Sequence, residues 1–234
     1  MAREADHGPA PRTHLVKGSV HRLVASRYPP VGVFDTARDE DELRMLAELE
    51  SLTNDRLRQE LGQIRLVPAE EIMVGPGCTP IMSAFCHPTS SRFSDGSFGV
   101  YYAALAVETA IAETRHHRER FLRDAALPAE VIEMRCYTTT LVKPMTRLPT
   151  EARHRKAILD PDSYAAGQGF GALLRARGAW GVYYDSVRHQ PDGRCVGVLR
   201  PRALKPVTQT SHYRYYWDGR VIAHVERFRP LTVG

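Results

Sequence analysis

The chain has 234 residues, of which 43% are hydrophobic and 25% are charged, and its formal net charge is +5 at pH 7. This composition is ordinary for a soluble globular protein with a hydrophobic core. Acidic residues are mixed among the basic ones along the chain, so the sequence shows no concentrated basic stripe and we expect no direct nucleic-acid binding.

No segment of the sequence predicts a membrane span, a secretory signal or a metal site. The N-terminal segment MAREADHGPAPRTH has no apolar h-region, and no uninterrupted apolar run approaches the roughly 20 residues of a membrane helix. The cysteines form no C-x-x-C pair and are expected to be buried thiols, at Cys78, Cys86, Cys136 and Cys195. We therefore expect a cytoplasmic protein that contacts no membrane and binds no metal.

The N-terminal third predicts a flexible arm, one strand and a helical insertion. Residues 1–18 are polar and uneven, whereas Ser19–Ser26 alternates as a strand and carries Arg22 inside it. Residues of about 39–62 predict one or two helices, with an acidic first turn that suits the helix dipole. Their leucine stripe is interpreted first as core and consists of Leu43, Leu46, Leu49 and Leu52. Residues 67–88 do not distinguish a helix from a strand.

The central stretch, residues 90–122, predicts a turn, a strand and a helix in succession. A Ser-Asp-Gly-Ser turn occupies residues 94–97, and the apolar run Phe98–Leu105 follows as the strand. Residues Val107–Phe121 are then predicted to form the helix. The three elements are close in sequence, so their junction can bring side chains together.

Four side chains of this stretch can converge at the strand–helix junction. Arg92 precedes the turn, Tyr102 lies near the end of the strand, and Glu113 and His117 are one helical turn apart on a shared face. Tyr101 is expected to point to the other side of the sheet, into the core. An arginine, an aromatic ring, a carboxylate and an imidazole suit an anionic ligand that has an aromatic ring.

The C-terminal half predicts more strands than helices, without the regular alternation of a doubly wound sheet. The expected elements are a strand at Val131–Leu141, a helix from Asp162 or Ser163 to Arg177, strands at Trp180–Asp185 and Cys195–Arg200, and a hairpin at about 213–226. A two-residue Asp218-Gly219 loop is expected to close the hairpin. Residues 143–161 are expected to form loop or short helix.

The glycine-rich segment GQGFG, Gly167–Gly171, lies inside the expected helix of that half. A phosphate-binding glycine loop follows a strand, and no strand is expected directly before this segment. No G-x-G-x-x-G opens a helix, so a Rossmann cofactor domain is not supported. We therefore expect these glycines to let the helix pack closely against a neighbour.

The order of several short motifs resembles the RES domain family, which is named for its Arg, Glu and Ser positions. The motifs are His21-Arg22-Leu23, Arg92-Phe93-Ser94 before Tyr101-Tyr102, the helical ETAIAE that ends at Glu113, and Asp185-Ser186-Val187-Arg188 after a Gly-Val-Tyr-Tyr strand. The resemblance covers about residues 19–202, and Arg-Phe-Ser stands where many relatives have Arg-Trp-Asn. It implies an α+β, ADP-ribosyltransferase-like fold with central mixed or antiparallel sheets flanked by helices, in a single RES domain over residues 19–234.

The resemblance implies an enzyme that acts on NAD as a substrate and needs no cofactor. It suggests the toxin of a toxin–antitoxin system, which cleaves the nicotinamide–ribose bond and arrests growth by depleting NAD. The implied partner is a cognate Xre-type antitoxin that occludes the site, in a homo-oligomer or a toxin–antitoxin complex. The leucine stripe could then also be an oligomer interface or an antitoxin-docking face. The alternatives are a mono-ADP-ribosyltransferase with a protein target and a non-catalytic module that binds nucleic acid or a partner.

Three residues have roles that follow from the charge of NAD. Cleavage proceeds through a transition state that resembles an oxocarbenium ion, and Glu113 is expected to stabilise that cation. Arg22 and Arg92 are expected to bind the pyrophosphate, since the guanidinium fork matches phosphate oxygens. The competing interpretations are a solvated helix carboxylate for Glu113 and buried ion pairs for the arginines.

Three further residues complete the expected NAD site. Tyr102 could stack on the nicotinamide or bond the ribose, although an aromatic residue in a strand is usually core. His117 could orient Glu113, position a water molecule or contact the substrate, or it could be a surface imidazole. Ser186 could bond a phosphate or the nicotinamide amide, or it could cap a local turn.

Overall fold

The computed structural model describes residues 12–26, 32–45 and 59–229. Within these ranges nine strands form one sheet: β1 (Thr13–His14), β2 (Ser19–Ala25), β3 (Tyr101–Ala104), β4 (Glu130–Thr140), β5 (Met145–Arg147), β6 (Gly181–Asp185), β7 (Arg194–Val198), β8 (Thr208–Trp217) and β9 (Ile222–Phe228). The strand order is β1-β5-β6-β7-β3-β2-β4-β8-β9. The β5–β6 pair is parallel and the other pairs are antiparallel, so the sheet is mixed.

The helices of the described ranges flank this sheet. They include α1 (Val33–Thr36), α2 (Glu40–Met45), α3 (Thr79–Cys86), α4 (Val107–Asp124), α5 (Ala152–Ile158) and α6 (Ala165–Ala176), with 3₁₀ turns at Ile64–Leu66, Ala69–Glu71 and Pro201–Ala203. The long helix α4 begins at the residue that the sequence predicts. It buries Ala110 and Leu122 on one face, and Arg115 and Glu119 form an ion pair one turn apart on the helix.

Two hydrophobic clusters cover the two faces of the sheet. On one face α1 and α3 pack against β3 and β7, through Phe34, Ile81, Met82, Phe85, Tyr101, Val196 and Val198. On the other face α4 and α6 pack against β2, β4 and β6, through Ala110, Leu122, Leu174, Leu23, Met134 and Tyr184. The expected α+β class, with a mixed sheet between helices, is therefore confirmed.

The sheet is almost divided between β2 and β3. These strands pair at a single position, His21 with Ala104, whereas β2 pairs with β4 along its whole length. Strand β3 is also shorter than the expected Phe98–Leu105. Gly99 lies against the backbone of α3, where an added Cβ would come within 2.3 Å of the Phe85 Cα, so the residues before Tyr101 leave the sheet to pack on that helix. The cleft described below lies at this gap, and residues of both strands line it.

Several expectations from the sequence are wrong or incomplete. The arm at 1–18 is not flexible throughout, because β1 pairs with β5 and Val16 is 3% exposed. Strand β5 lies in the region expected to be loop or short helix. The C-terminal hairpin forms, but Trp217 pairs with Ile222 and the connecting loop spans residues 218–221 rather than two residues.

The helical insertion at 39–62 is described only in part. Leu43, in α2, is 1% exposed and belongs to the core, as expected. Leu46, Leu49 and Leu52 lie outside the described residues, as do residues 1–11 of the arm. The segment at 67–88, which the sequence left open, contains a 3₁₀ turn and the helix α3.

Candidate active site

A cleft of about 2100 Å³ lies at the gap between β2 and β3. Its walls come from both of these strands, from α4, from the turn before β3 and from the start of α6. Five of the six expected site residues line it, namely Arg22, Arg92, Tyr102, Glu113 and His117. The sixth, Ser186, lies behind the wall and is 0% exposed. Ligand pockets commonly have volumes of about 300–1000 Å³, so this cleft is larger than a typical small-molecule pocket.

Glu113 is held by a hydrogen bond from Ser186. The Ser186 hydroxyl donates to Glu113 Oε1 at 2.6 Å and accepts the backbone N–H groups of Arg188 at 3.1 Å and His189 at 2.9 Å. The turn-capping role considered for Ser186 is therefore present. The expected direct contact between Ser186 and a ligand is not supported, because this buried hydroxyl is already fully engaged. Its proton fixes the carboxylate instead.

Arg92 is buried without a carboxylate partner in the described ranges. Its side chain, in a residue that is 8% exposed, donates through Nη1 to the carbonyls of Asp160 at 2.8 Å and Ile158 at 3.2 Å. The guanidinium also lies 4.8 Å from the ring centre of Tyr164. These partners hold the arginine in place. In the described ranges no carboxylate lies within ion-pair distance of it, although the pKa of the Asp160 carboxyl, lowered mainly by backbone hydrogen bonds, is lowered also by the charge of Arg92.

Arg22 has a similar environment, and its guanidinium reaches the gap from the face of the sheet that holds Tyr101. Its Nη1 donates to the Tyr102 carbonyl at 3.1 Å, its guanidinium lies 4.8 Å from the ring centre of Tyr101, and its Nε is buried with no hydrogen-bond partner. Desolvation lowers the pKa of Arg22. In the described ranges it forms no ion pair, so the buried ion pairs considered from the sequence do not account for either arginine. Two arginines that form no ion pair in the described ranges line one cleft, which favours an anionic ligand.

Tyr102 holds the Arg92 turn, residues 91–94, which is closed by a hydrogen bond from Ser91 N to Ser94 O at 2.7 Å. Its hydroxyl donates to Ser91 Oγ at 3.0 Å and accepts the Phe93 N–H at 3.0 Å, while its ring stacks on Phe93 with the ring centres 6.3 Å apart. Burial raises the pKa of Tyr102 to about 12. Tyr101 is 0% exposed and belongs to the core of the opposite face, as the alternation of the strand predicted.

The helix α6 packs directly on the Arg92 turn through its glycines. An added Cβ would lie 2.4 Å from the Arg92 carbonyl oxygen at Gly167 and 2.0 Å from the Phe93 carbonyl oxygen at Gly171. Between them, Gln168 donates to Ser91 O at 3.1 Å. The prediction that the GQGFG glycines permit close helix packing is confirmed for Gly167 and Gly171 but not for Gly169, which has nothing within 4 Å of an added Cβ. The packing supports a site residue.

His117 lines the cleft one turn beyond Glu113. More than a third of its surface is exposed, yet the cleft wall desolvates the ring and lowers its pKa, and the charges of Arg188 and Arg92 act in the same direction. Among the described contacts, no hydrogen bond joins His117 to Glu113. The imidazole is therefore in the cleft, as expected, while its role as an orienting group for Glu113 has no support.

The RES domain family model matches residues 71–218, which is more than half of the chain. The chain belongs to the RES domain family. A relative, the uncharacterized protein y4oC of Sinorhizobium fredii, is 30% identical in an alignment of 231 residues, which covers 94% of this chain and 94% of the relative. A chain of the crystal structure of the M. tuberculosis MbcT–MbcA toxin–antitoxin complex is 10% identical, with a TM-score of 0.46 over 86% of this chain and 85% of that one. At this score the likeness supports no statement about function.

The family match places five of the six expected site residues inside the RES domain. They are Arg92, Tyr102, Glu113, His117 and Ser186. Arg22 precedes the matched range, although the sequence resemblance was drawn from about residue 19. The position of Arg22 in the cleft therefore rests on the geometry of β2 and not on the family match.

Sequence reasoning missed two buried neighbours of Glu113 in the RES domain. Cys195 Sγ lies 4.0 Å from Glu113 Oε1, and Tyr184 pairs with Cys195 across β6 and β7. Burial raises the pKa of both side chains, and the charge of Glu113 acts in the same direction. Tyr184 is two residues before Ser186, so the two-residue period of a strand was a signal that could have placed it on the same face.

The described ranges contain no group of three or more His, Cys, Asp or Glu side chains arranged to hold a metal ion. In the same ranges, no helix combines the length and the apolar character that a membrane crossing requires.

Proposed function

We propose that this RES domain cleaves the bond between nicotinamide and ribose in NAD. The observation that carries the proposal is the combination of a serine-held carboxylate, Glu113, with two arginines that have no carboxylate partner among the described residues, all lining one cleft. A dinucleotide has a pyrophosphate for the arginines, and its cationic nicotinamide leaves as a neutral group, so that the positive charge passes to the ribose beside the carboxylate.

Glu113 acts on the ribose in this proposal. Ser186 occupies Oε1, so Oε2 is the oxygen available to the substrate. As the C1′–N bond breaks, its electron pair leaves with nicotinamide and positive charge develops on the ribose ring. A fixed carboxylate stabilises that charge better in the transition state than in the substrate, which lowers the barrier. Water, phosphate or a protein side chain then bonds to C1′, and a proton lost by the attacking group passes to the solvent.

Arg22 and Arg92 neutralise the pyrophosphate from the two sides of the cleft. Each arginine is already oriented by main-chain carbonyls and an aromatic ring, so little side-chain entropy is lost when the substrate binds. Tyr102 then has two functions, since its hydroxyl fixes the Arg92 turn and its ring contributes to the cleft wall.

The biological role that we propose is that of a toxin in a toxin–antitoxin system. This role is supported by membership of the RES family together with the activity proposed above, since NAD depletion arrests growth. It implies an antitoxin partner, proposed to be of the Xre type, in a toxin–antitoxin complex or with a homo-oligomeric toxin. NAD is the substrate and no cofactor is required.

The second candidate is a mono-ADP-ribosyltransferase with a protein target. The volume of the cleft favours it, because about 2100 Å³ leaves space for an acceptor side chain beside a dinucleotide. Both candidates release nicotinamide, and only the transferase leaves a stable ADP-ribose label on a protein.

The experiment is nicotinamide release from NAD labelled in that ring, with and without phosphate. Wild type is compared with Glu113→Gln, which removes the charge and keeps an oxygen that can accept the Ser186 hydrogen bond. Glu108→Gln, an exposed change on the same helix, is the matched control. Release by wild type and Glu108→Gln, but not by Glu113→Gln, is expected. Undiminished release by Glu113→Gln would remove the carboxylate from this role, and no release by wild type would favour a non-catalytic module.

A further inference from the structure

A loop of eight residues, 186–193, connects β6 to β7 behind Glu113. Its base is closed by hydrogen bonds from Ser186 N to Gly193 O at 2.9 Å and from Gly193 N to His189 O at 2.8 Å. At Gly193 an added Cβ would lie 2.3 Å from the His189 carbonyl oxygen, so only glycine fits there. The loop is therefore a compact, defined structure.

This loop is attached to α4 at two points. Ser186 donates to Glu113, and the His189 ring shares a hydrogen bond of 2.8 Å between Nδ1 and the Thr109 hydroxyl. Thr109 is 1% exposed and precedes Glu113 by four residues, which is one turn on the same helix face. The two attachments thus follow successive turns of α4.

The direction of the Ser186 proton depends on where the loop lies. A serine hydroxyl has one proton and two acceptor positions, and here the N–H groups of Arg188 and His189 occupy both acceptor positions. The proton is left for Glu113. Since one of those N–H groups belongs to His189, a movement of His189 would change the orientation of the hydroxyl and, through it, of the carboxylate.

We propose that Thr109 and His189 are positioning residues, which act through Ser186 to hold the Glu113 carboxylate in the geometry required for cleavage. The inference rests on the proposed cleavage of NAD and extends it to two side chains that do not line the cleft. Neither residue touches the substrate in this proposal. When their hydrogen bond is lost, the Glu113 carboxylate remains but is no longer held in the required orientation. The loss therefore weakens stabilisation of the transition state more than it weakens the binding of NAD.

The test is steady-state kinetics of nicotinamide release for variants that remove or retain the hydrogen bond. Thr109→Val removes the hydroxyl and keeps the shape, while Thr109→Ser keeps the hydroxyl. His189→Ala removes the ring, while the side-chain amide of His189→Asn can replace the Nδ1 hydrogen bond. Asp192→Ala, an exposed change in the same loop, is the control.

Thr109→Val and His189→Ala should each lower kcat by about 10- to 100-fold with KM changed by less than about threefold, as expected for a misplaced catalytic group. Thr109→Ser, His189→Asn and Asp192→Ala should stay within about threefold of wild type. The double variant Thr109→Val/His189→Ala should be no slower than the slower single variant, because both changes break one contact.

Different results separate the two proposals. Wild-type turnover with full activity in Thr109→Val and His189→Ala would overturn the positioning role and leave NAD cleavage intact. The positioning role would also be overturned if His189→Asn were as slow as His189→Ala. The same holds if KM rose in Thr109→Val and His189→Ala by as large a factor as kcat fell. No turnover by wild type would overturn the proposed function itself.

Discussion

The contact between α6 and the Arg92 turn makes a sharp prediction about Gly171. A Cβ at this position would lie 2.0 Å from the Phe93 carbonyl oxygen, whereas ordinary contacts begin near 3.4 Å. Helix and turn would have to separate by about 1.4 Å in Gly171→Ala, and both are backbone, so no side chain can rotate away. Gly169 lies on the same helix with nothing within 4 Å of its added Cβ, which makes Gly169→Ala a matched control.

The two substitutions should change the free energy of unfolding in opposite directions. Overpacking costs up to about 3 kcal/mol, and alanine recovers about 1 kcal/mol in a helix interior, so Gly171→Ala should lose about 2 kcal/mol. Gly169→Ala should gain up to about 1 kcal/mol. For a domain of this size the Tm should fall by roughly 4–8 °C in the first variant and rise by roughly 2–4 °C in the second. Thermal unfolding followed by circular dichroism measures both, and equal Tm values would refute the packing argument.

Three further predictions concern the site and the response to pH. Ser186→Ala should lower kcat by at least about tenfold with little change in KM, and an unchanged kcat would contradict its role in holding Glu113. Arg92→Lys should raise the KM for NAD about tenfold, because lysine lacks the fork that binds two carbonyls and a phosphate together, and an unchanged KM would remove Arg92 from the pyrophosphate. Burial lowers the pKa of His21, His87, His116 and His117. The unfolded chain therefore binds more protons than the folded chain as the pH falls below about 6.5. The free energy of unfolding measured with urea should be lower at pH 5 than at pH 7.5. Equal free energies at the two pH values would contradict the lowered histidine pKa values.

The elements that the sequence predicted well are those in which apolar residues recur with a clear period. Strand β2, strand β4 and helix α4 each alternate or repeat over at least seven residues, and their observed ends differ from the expected ends by at most three residues. Strands β1 and β5 have two and three residues, which is too short for a period to appear. They become strands only because they pair with each other and with β6.

The site residues were found from motif order, and their contacts were not. The sequence places Ser186 after a strand and Glu113 on a helix, but the hydrogen bond between them joins residues 73 positions apart. Thr109 and His189 are 80 positions apart and neither carries a motif signal. Such contacts depend on how β6 and β7 bring their loop onto α4, which no local pattern contains.

Because Arg22 lies at the gap between β2 and β3, it has both a structural role and a role in the cleft. This affects the interpretation of activity measurements on Arg22 variants. The guanidinium donates to the Tyr102 carbonyl where the two strands have separated, so it satisfies main chain at the edge of β3 and also presents charge to the cleft. Removing it would leave that carbonyl without this donor and alter the strand that carries Tyr102. Lost activity in Arg22→Ala would therefore not separate substrate binding from the integrity of the cleft. Glu113, which is half-buried on a continuous helix and bonded through one oxygen, is the residue whose replacement tests the chemistry alone.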